Sequence, residues 1–276
     1  AGSLESYASI INIVTKIKPD EIYHLGAQSY IDYAFKDEFS TMNTNINGTH
    51  YILSAIKDFS PKSKFYFAGS SEMFGKVQQI PQTEKTPFYP RSTYGISKVA
   101  GFELTRNYRE AYNLFCVTGL LFNHESPRRG FEFVTRKISY TVAQIKLGLE
   151  TKLDLGNLTS KRDWGHAKDY VEAMWLMLQQ DVPDDYVIST GEQYSVRQFI
   201  EIAGKYFDMD IEWVGSGVDE IGIDKNSNKT VIKVNSKYFR PTEVDSLLGD
   251  FSKAKNKLGW SPKISFADLV KDMCNE

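Results

Sequence analysis

Along the first half of the chain the hydrophobic positions switch between two periods, and the switches mark out elements. Residues 6–18 carry apolar side chains at helical spacing, and the run stops at Pro19, which cannot continue a helix. Glu21-Ile22-Tyr23-His24-Leu25 then reads as a strand, with Gly26-Ala27-Gln28-Ser29 as the turn beyond it. Residues 41–58 predict a long helix with Ile46, Tyr51, Ile52, Ala55 and Ile56 near one side. Residues 64–68 are the next strand, 97–112 a helix and 115–121 another strand. Strands separated by helices of this length predict an α/β fold, a doubly wound parallel sheet covered on both faces. In such sheets ligands bind at the carboxyl ends of the strands. Gln28-Ser29, Ser70-Ser71-Glu72 and Asn123-His124 all fall at those ends, so polar groups converge on one edge.

After Ser126 the regularity weakens. Pro127-Arg128-Arg129-Gly130 is a turn-like basic stretch, followed by helices over 134–148 and 169–179 and a short strand over 186–189. Ser195 is a reasonable N-cap for a helix through 207. Residues 214–228, rich in Gly and Asp, read as a mobile loop. Leu258-Gly259-Trp260-Ser261-Pro262 ends one helix and Ser265 begins the last.

Composition narrows the class. The 276 residues are 41% hydrophobic and 25% charged, ordinary for a globule able to build a core, and the net charge of −2 argues against a nucleic-acid or membrane surface as partner. No apolar run approaches the ~18 residues needed to span a bilayer, and no signal peptide opens the chain, so a cytoplasmic enzyme is expected. Cys116 and Cys274 are too few for a disulfide framework, and Cys116 in Leu114-Phe115-Cys116-Val117 reads as a buried thiol. The four histidines, His24, His50, His124 and His166, show no metal-ligand spacing.

The candidate chemistry lies in Tyr94-Gly95-Ile96-Ser97-Lys98. Positions i and i+4 share one helix face, so the Lys98 ammonium sits beside the Tyr94 phenol. A neighbouring positive charge favours the phenolate, which makes Tyr94 a base near neutral pH. Tyr-x-x-x-Lys alone also arises on a solvated helix face; the cluster Ser70-Ser71-Glu72 at a strand end turns the balance toward chemistry. Plainer roles stand beside the chemical ones. Glu72 would cap the following turn, Ser70 and Ser71 would be turn residues, and His124 would be a core histidine with a satisfied hydrogen bond.

With these segments in place, the chain resembles the GDP-mannose 4,6-dehydratase family of the extended short-chain dehydrogenase/reductase superfamily. The matching stretches are Leu25-Gly26-Ala27-Gln28-Ser29, Ser70-Ser71-Glu72-Met73-Phe74-Gly75, Tyr94-Gly95-Ile96-Ser97-Lys98 and Asn123-His124-Glu125-Ser126-Pro127-Arg128-Arg129-Gly130. Downstream follow Arg162-Asp163-Trp164-Gly165-His166-Ala167, Arg240-Pro241-Thr242-Glu243 and Leu258-Gly259-Trp260. The family's opening Gly-x-x-Gly-x-x-Gly turn, which brings amides onto the pyrophosphate, has no counterpart here. The chain is therefore expected to start after the family's first three strands, as an N-terminally incomplete Rossmann-like sheet, and to hold its cofactor poorly. The resemblance implies a dinucleotide-binding domain over 1–126, also receiving 162–192, and a smaller mixed α/β substrate lobe over 127–276.

It further implies a lyase that converts GDP-mannose to GDP-4-keto-6-deoxymannose through an internal redox cycle, with NADP as cofactor and NAD as the alternative. Tyr94, with Lys98, would take the C4 hydroxyl proton. Glu72 would remove the C5 proton and return it to the departing C6 hydroxyl. Ser70, where the family has Thr, would hydrogen-bond the C4 oxygen. Leu25, Ala27, Ser29, Tyr94, Lys98, His124 and Arg129 match the dinucleotide side. Ser71, Asn123, Val134, Lys137, Arg162, Arg240 and Glu243 match the nucleotide-sugar side. A diphosphate suits the guanidinium forks of Arg162 and Arg240, and Glu243 would meet ribose hydroxyls or a neighbouring arginine; the plainer reading of each arginine is a surface salt bridge. The family's dimers pair through helices matching 41–58 and 97–112, so a homodimer or homotetramer is expected. The rival readings are dehydration of another GDP-sugar such as a heptose or glucose, a 4-epimerase or reductase on the same fold, and a non-catalytic nucleotide-sugar binder. Glu72 argues against the epimerase, which needs no base for C5.

Overall fold

The structure, a computed structural model, describes residues 2–239 and 242–275. In chain order its first half runs α1 (Tyr7–Ile17), β1 (Glu21–His24), α2 (Ile31–Ala34), α3 (Glu38–Met42), a π-helical turn (Asn43–Asn47), α4 (Gly48–Phe59), β2 (Lys64–Ala68), a 3₁₀ turn (Ser71–Met73), α5 (Thr93–Tyr112) and β3 (Cys116–Leu121). The second half adds β4 (Asn123–Glu125), α6 (Val134–Lys146), β5 (Leu153–Leu155), β6 (Lys161–Arg162), β7 (Trp164–His166), α7 (Ala167–Leu178), β8 (Tyr186–Ile188) and β9 (Tyr194–Ser195). It closes with α8 (Val196–Tyr206), β10 (Ile211–Val214), β11 (Ile221–Asp224), β12 (Lys229–Val234), a 3₁₀ turn (Ser236–Tyr238), α9 (Ser252–Leu258) and α10 (Phe266–Asn275).

The main sheet has the order β1-β2-β3-β8, all parallel, with Glu21 opposite Lys64 and Phe65 opposite Cys116. Phe65, Tyr66, Phe67 and Ala68 of β2 are all buried, the continuous apolar run of a strand covered on both faces. On one face Phe65, Phe67, Cys116 and Leu120 pack with Ile10, Val14, Leu53, Ile56 and Phe102 of α1, α4 and α5. On the other, Tyr66, Val117 and Leu121 pack with Ala173 and Met177 of α7 and with Trp260. This is the doubly wound α/β architecture expected. A second sheet, β10-β11-β12-β5, packs with α6, α8 and α10 around Ile138, Val142, Phe199, Ile232 and Leu269. Two further pairs form, β4–β7 parallel and β6–β9 antiparallel. Among the described residues no helix is long and apolar enough to cross a membrane.

Three of the differences from the sequence reading have a local cause. The helix expected over 97–112 starts at Thr93, because the Ser92 hydroxyl accepts the Gly95 N–H at 3.0 Å and caps it there. Tyr94 therefore stands in its first turn. The helix expected over 41–58 is broken by the π-helical turn, where Asn45 is drawn aside to bond elsewhere. The loop expected over 214–228 contains β11, which forms an antiparallel hairpin with β12. Its turn is closed by the Asp224 carboxylate, which accepts the Asn226 and Ser227 N–H groups at 3.2 Å and the Ser227 hydroxyl at 2.7 Å. The Gly and Asp content marked that turn and hid the short strands on either side.

Candidate active site

At the carboxyl ends of β1, β2 and β3 lies a cleft of about 660 Å³. Its wall begins with the turn after β2. Ser70 caps that turn, its hydroxyl accepting the Glu72 N–H at 3.2 Å, so the cap is made by Ser70 and the Glu72 side chain lines the cleft. Ser71, buried, also lines it. Helix α5 is pressed against this turn at Gly95, where a Cβ would lie 2.8 Å from the Glu72 carbonyl oxygen. That close approach brings Tyr94 to the same cavity as Glu72 and Ser70.

The electrostatics depart from the sequence expectation. Burial pushes the Tyr94 phenol up to about 12, with the Glu72 charge adding to the rise, while the Ser70 hydroxyl and the Arg129 charge pull the other way. Lys98 does not bring it down. Its ammonium donates to the Ala68 carbonyl at 2.7 Å and lies 5.8 Å from the Tyr94 ring centroid, and burial lowers its own pKa to about 8. Desolvation of both groups outweighs the helix-face proximity that the spacing promised.

Leu25, Ala27 and Ser29 line the cleft from the loop after β1. Gln28 turns away from it. Asn45 accepts the Gln28 N–H at 2.8 Å and donates to the Gln28 carbonyl at 3.0 Å and to the Ser97 hydroxyl at 2.9 Å. Ser97 in turn donates to the Tyr94 carbonyl at 2.7 Å. One buried side chain thus ties the β1 loop to the helix that carries Tyr94 and Lys98. The sequence signal for it was only a polar residue inside an apolar helix pattern.

His124 lines the cleft with Nδ1 2.9 Å from the Phe122 carbonyl, donating to it, and with its ring stacked on Tyr170 at 4.8 Å. Burial lowers its pKa to about 4, so the imidazole is neutral. Arg129 lies 3.1 Å from the Glu125 carboxylate and 3.6 Å above the Phe133 ring. Glu125 is buried, accepts the Thr135 hydroxyl at 2.7 Å, and also lines the cleft. Burial raises its pKa, against the pull of Arg129, Thr135 and Asn123. The sequence reading passed over Glu125, and also Tyr30 and Tyr238, which line the same cavity.

Asn123, Val134, Lys137, Arg162 and Glu243 complete the wall on the side of the second sheet. Arg162 reaches Glu243 at 3.4 Å, so Glu243 meets a neighbouring arginine, one of the two partners expected for it. Lys137 donates to the Asp154 carbonyl at 2.6 Å with its ammonium 3.8 Å from the Tyr238 ring centroid. Arg240 lies outside the described residues. Every other residue assigned a site role from the sequence lines one cavity, which sets the Tyr94 phenol and the Glu72 carboxylate beside hydroxyl, ammonium and guanidinium donors.

A family model described as GDP-mannose 4,6 dehydratase matches residues 1–273. The chain belongs to that family. The family's members of that name in Homo sapiens and Drosophila melanogaster are 52% and 51% identical over 274 residues, 99% of this chain and 74% and 69% of theirs. A GDP-mannose 4,6-dehydratase of Yersinia enterocolitica is 48% identical over all of this chain and 76% of its own. Among solved structures, the chain resembles RMD from Pseudomonas aeruginosa complexed with NADPH, with a TM-score of 0.85, 22% identity, and coverage of 100% of this chain and 86% of that one. It also resembles DesIV, a dTDP-glucose 4,6-dehydratase from Streptomyces venezuelae with NAD and TYD bound, with a TM-score of 0.82, 21% identity, and coverage of 99% and 77%. Those two likenesses are of fold. The GDP-mannose 4,6-dehydratase family membership rests on the identity near one half across nearly the whole chain.

Proposed function

We propose that this chain is a GDP-mannose 4,6-dehydratase, a lyase that removes water from GDP-mannose to leave GDP-4-keto-6-deoxymannose. The observation that carries this reading is that Tyr94 and Glu72 line one cleft, in a chain of that family. The donor set suits a nicotinamide dinucleotide. Lys98 and the Tyr94 and Ser29 hydroxyls provide donors for ribose oxygens, Arg129 a guanidinium for phosphate, and the half-exposed Leu25 an apolar surface for a ring. When bound, the dinucleotide supplies a hydride acceptor at C4 and a hydride donor at C6. NADP is the form we infer, by the family resemblance.

The side chains divide the proton work. Tyr94 accepts the C4 hydroxyl proton, and Ser70, in the same cleft wall, holds the C4 oxygen in reach. Lys98 lines the cleft beside Tyr94, with its ammonium 5.8 Å from the ring centroid, as a donor to the ribose. The C4 ketone acidifies C5, where Glu72 takes the proton and passes it to the C6 hydroxyl, which leaves as water. Tyr94 still holds one proton, and mass balance sends it to C5 as C6 is reduced. Arg162, Lys137, Asn123, Ser71, Val134 and Glu243 hold the nucleotide and sugar; Arg162 suits the diphosphate. In this reading residues 1–126, joined by 162–192, carry the dinucleotide and 127–276 the nucleotide sugar. We place the enzyme in the cytoplasm, in deoxysugar biosynthesis, as a homodimer pairing through α4 and α5, where the half-exposed Ile96 and Tyr112 of α5 offer apolar surface.

The test is incubation of the NADP-supplied protein with separate GDP-mannose, GDP-glucose, GDP-heptose and UDP-glucose, followed by mass spectrometry. GDP-mannose should lose one water and the others should not. Water loss from a different GDP-sugar alone would move the assignment to that substrate, and loss from none would sink the enzymatic reading.

A further inference from the structure

The nucleotide-sugar wall is held from behind by a carboxylate that does not itself line the cleft. Along Arg162-Asp163-Trp164 the first and third residues line the cleft and Asp163, in the break between β6 and β7, does not. Asp163 is fully buried. One of its oxygens accepts the Thr190 N–H and the Thr190 hydroxyl, each at 2.7 Å. The other accepts the Gly191 N–H at 3.0 Å and the Gly249 N–H at 3.3 Å. Burial holds the group up, near 6, against the pull of those four bonds.

The Gly249 bond matters most for the site. Residues 245–249 run beside β6, with the Lys161 N–H donating to the Asp245 carbonyl at 2.8 Å and the Leu247 N–H to the Lys161 carbonyl at 3.1 Å. Gly249 lies so close to Ser189 that any Cβ there would collide with it. This segment carries Glu243 just upstream, the residue that Arg162 reaches at 3.4 Å. Asp163 therefore grips, by one carboxylate, the strip that carries Arg162 and the segment that carries its partner.

We propose that Asp163 is a positioning residue for GDP binding, setting the Arg162–Glu243 pair from outside the cleft; this rests on the reading above that the pair holds the nucleotide. All four groups aimed at Asp163 are donors, so an amide of the same shape turns an N–H toward one pair of them and releases the segment.

Isothermal titration of GDP into the full chain tests it. Asp163→Asn should weaken GDP binding by about ten- to a hundredfold, the range for a displaced charge-assisted hydrogen bond. In an Arg162→Gln background the same substitution should change GDP affinity by less than about twofold, because it acts through a contact already gone. If Asp163→Asn proves unfolded, Gly249→Ala leaves the carboxylate intact, pushes the segment off Ser189, and should show the same dependence on Arg162. A folded Asp163→Asn chain that binds GDP as the wild type does would overturn the inference and leave the functional reading standing. An equal loss in both Arg162 backgrounds would overturn it too, as a general effect of a weakened fold. A wild-type chain with no affinity for GDP would instead overturn the functional reading and this inference with it.

Discussion

Replacing Glu72 by Gln separates the two proton transfers assigned to this cleft. The substitution keeps the shape of the side chain and leaves the turn in place, since that turn is capped by the Ser70 hydroxyl on the backbone N–H of residue 72. Stability should therefore move by no more than about 0.5 kcal/mol. The two chemical steps respond in opposite directions. The Tyr94 phenol stands at about 12 against an ordinary 10.0, a hindrance to ionisation of about 3 kcal/mol, and part of it is the Glu72 charge. An amide removes that part, so oxidation at C4 should be no slower than in the wild type. An amide cannot take the C5 proton, however, and loss of a positioned base costs about 10²- to 10⁴-fold, or roughly 3–5 kcal/mol of barrier. In a single turnover quenched at intervals, mass spectrometry should find the sugar nucleotide lighter by two hydrogens building up without loss of water. In heavy water, deuterium should not enter at C5. Water loss at the wild-type rate would refute the role given to Glu72, and an equal slowing of both steps would show that the carboxylate serves Tyr94 and not C5.

Other consequences are open to direct measurement. Lys98 is buried with its pKa lowered from 10.5 to about 8, so its charge destabilises the fold by about 3 kcal/mol below pH 8, and this relaxes as pH rises from 8 to 10.5. Lys98→Met should therefore gain about 2 kcal/mol in denaturant unfolding at pH 7, after losing about 1 for the Ala68 bond, while activity disappears. Gly95→Ala puts a methyl 2.8 Å from the Glu72 carbonyl oxygen and should cost about 1–3 kcal/mol in melting experiments, with activity falling as the turn shifts. His24 is held neutral to about pH 3, chiefly by burial and then by the Lys98 charge, against 6.5 in the unfolded chain. The unfolded state binds that proton first, so stability should drop as pH falls from 6.5 toward 3, and His24→Gln should make the slope shallower by about one proton. A slope unchanged in that variant would refute the assignment.

Much of this site was legible from local pattern. Alternating strand and helix periods placed Ser29, Ser70, Glu72, Asn123 and His124 at the ends of parallel strands, and all of them line the cleft. The i, i+4 spacing placed Tyr94 and Lys98 together on one helix. What local pattern missed were Asn45 and Asp163, whose partners are remote in the chain. Asn45 meets Ser97 across 52 residues, and Asp163 meets Gly249 across 86. The short strands β5, β11 and β12 escaped for a related reason. Each is recognisable only once paired, and Gly and Asp in the hairpin turn were read as the whole segment.

Residue order alone was enough for the main sheet and its winding, because helix and strand periods are set by backbone geometry within a few residues. Protonation was decided only in three dimensions. The Tyr94 phenol sits above its ordinary pKa and the Lys98 ammonium below, since both are enclosed by strands and helices distant in sequence, and desolvation depends on what surrounds a group from all sides.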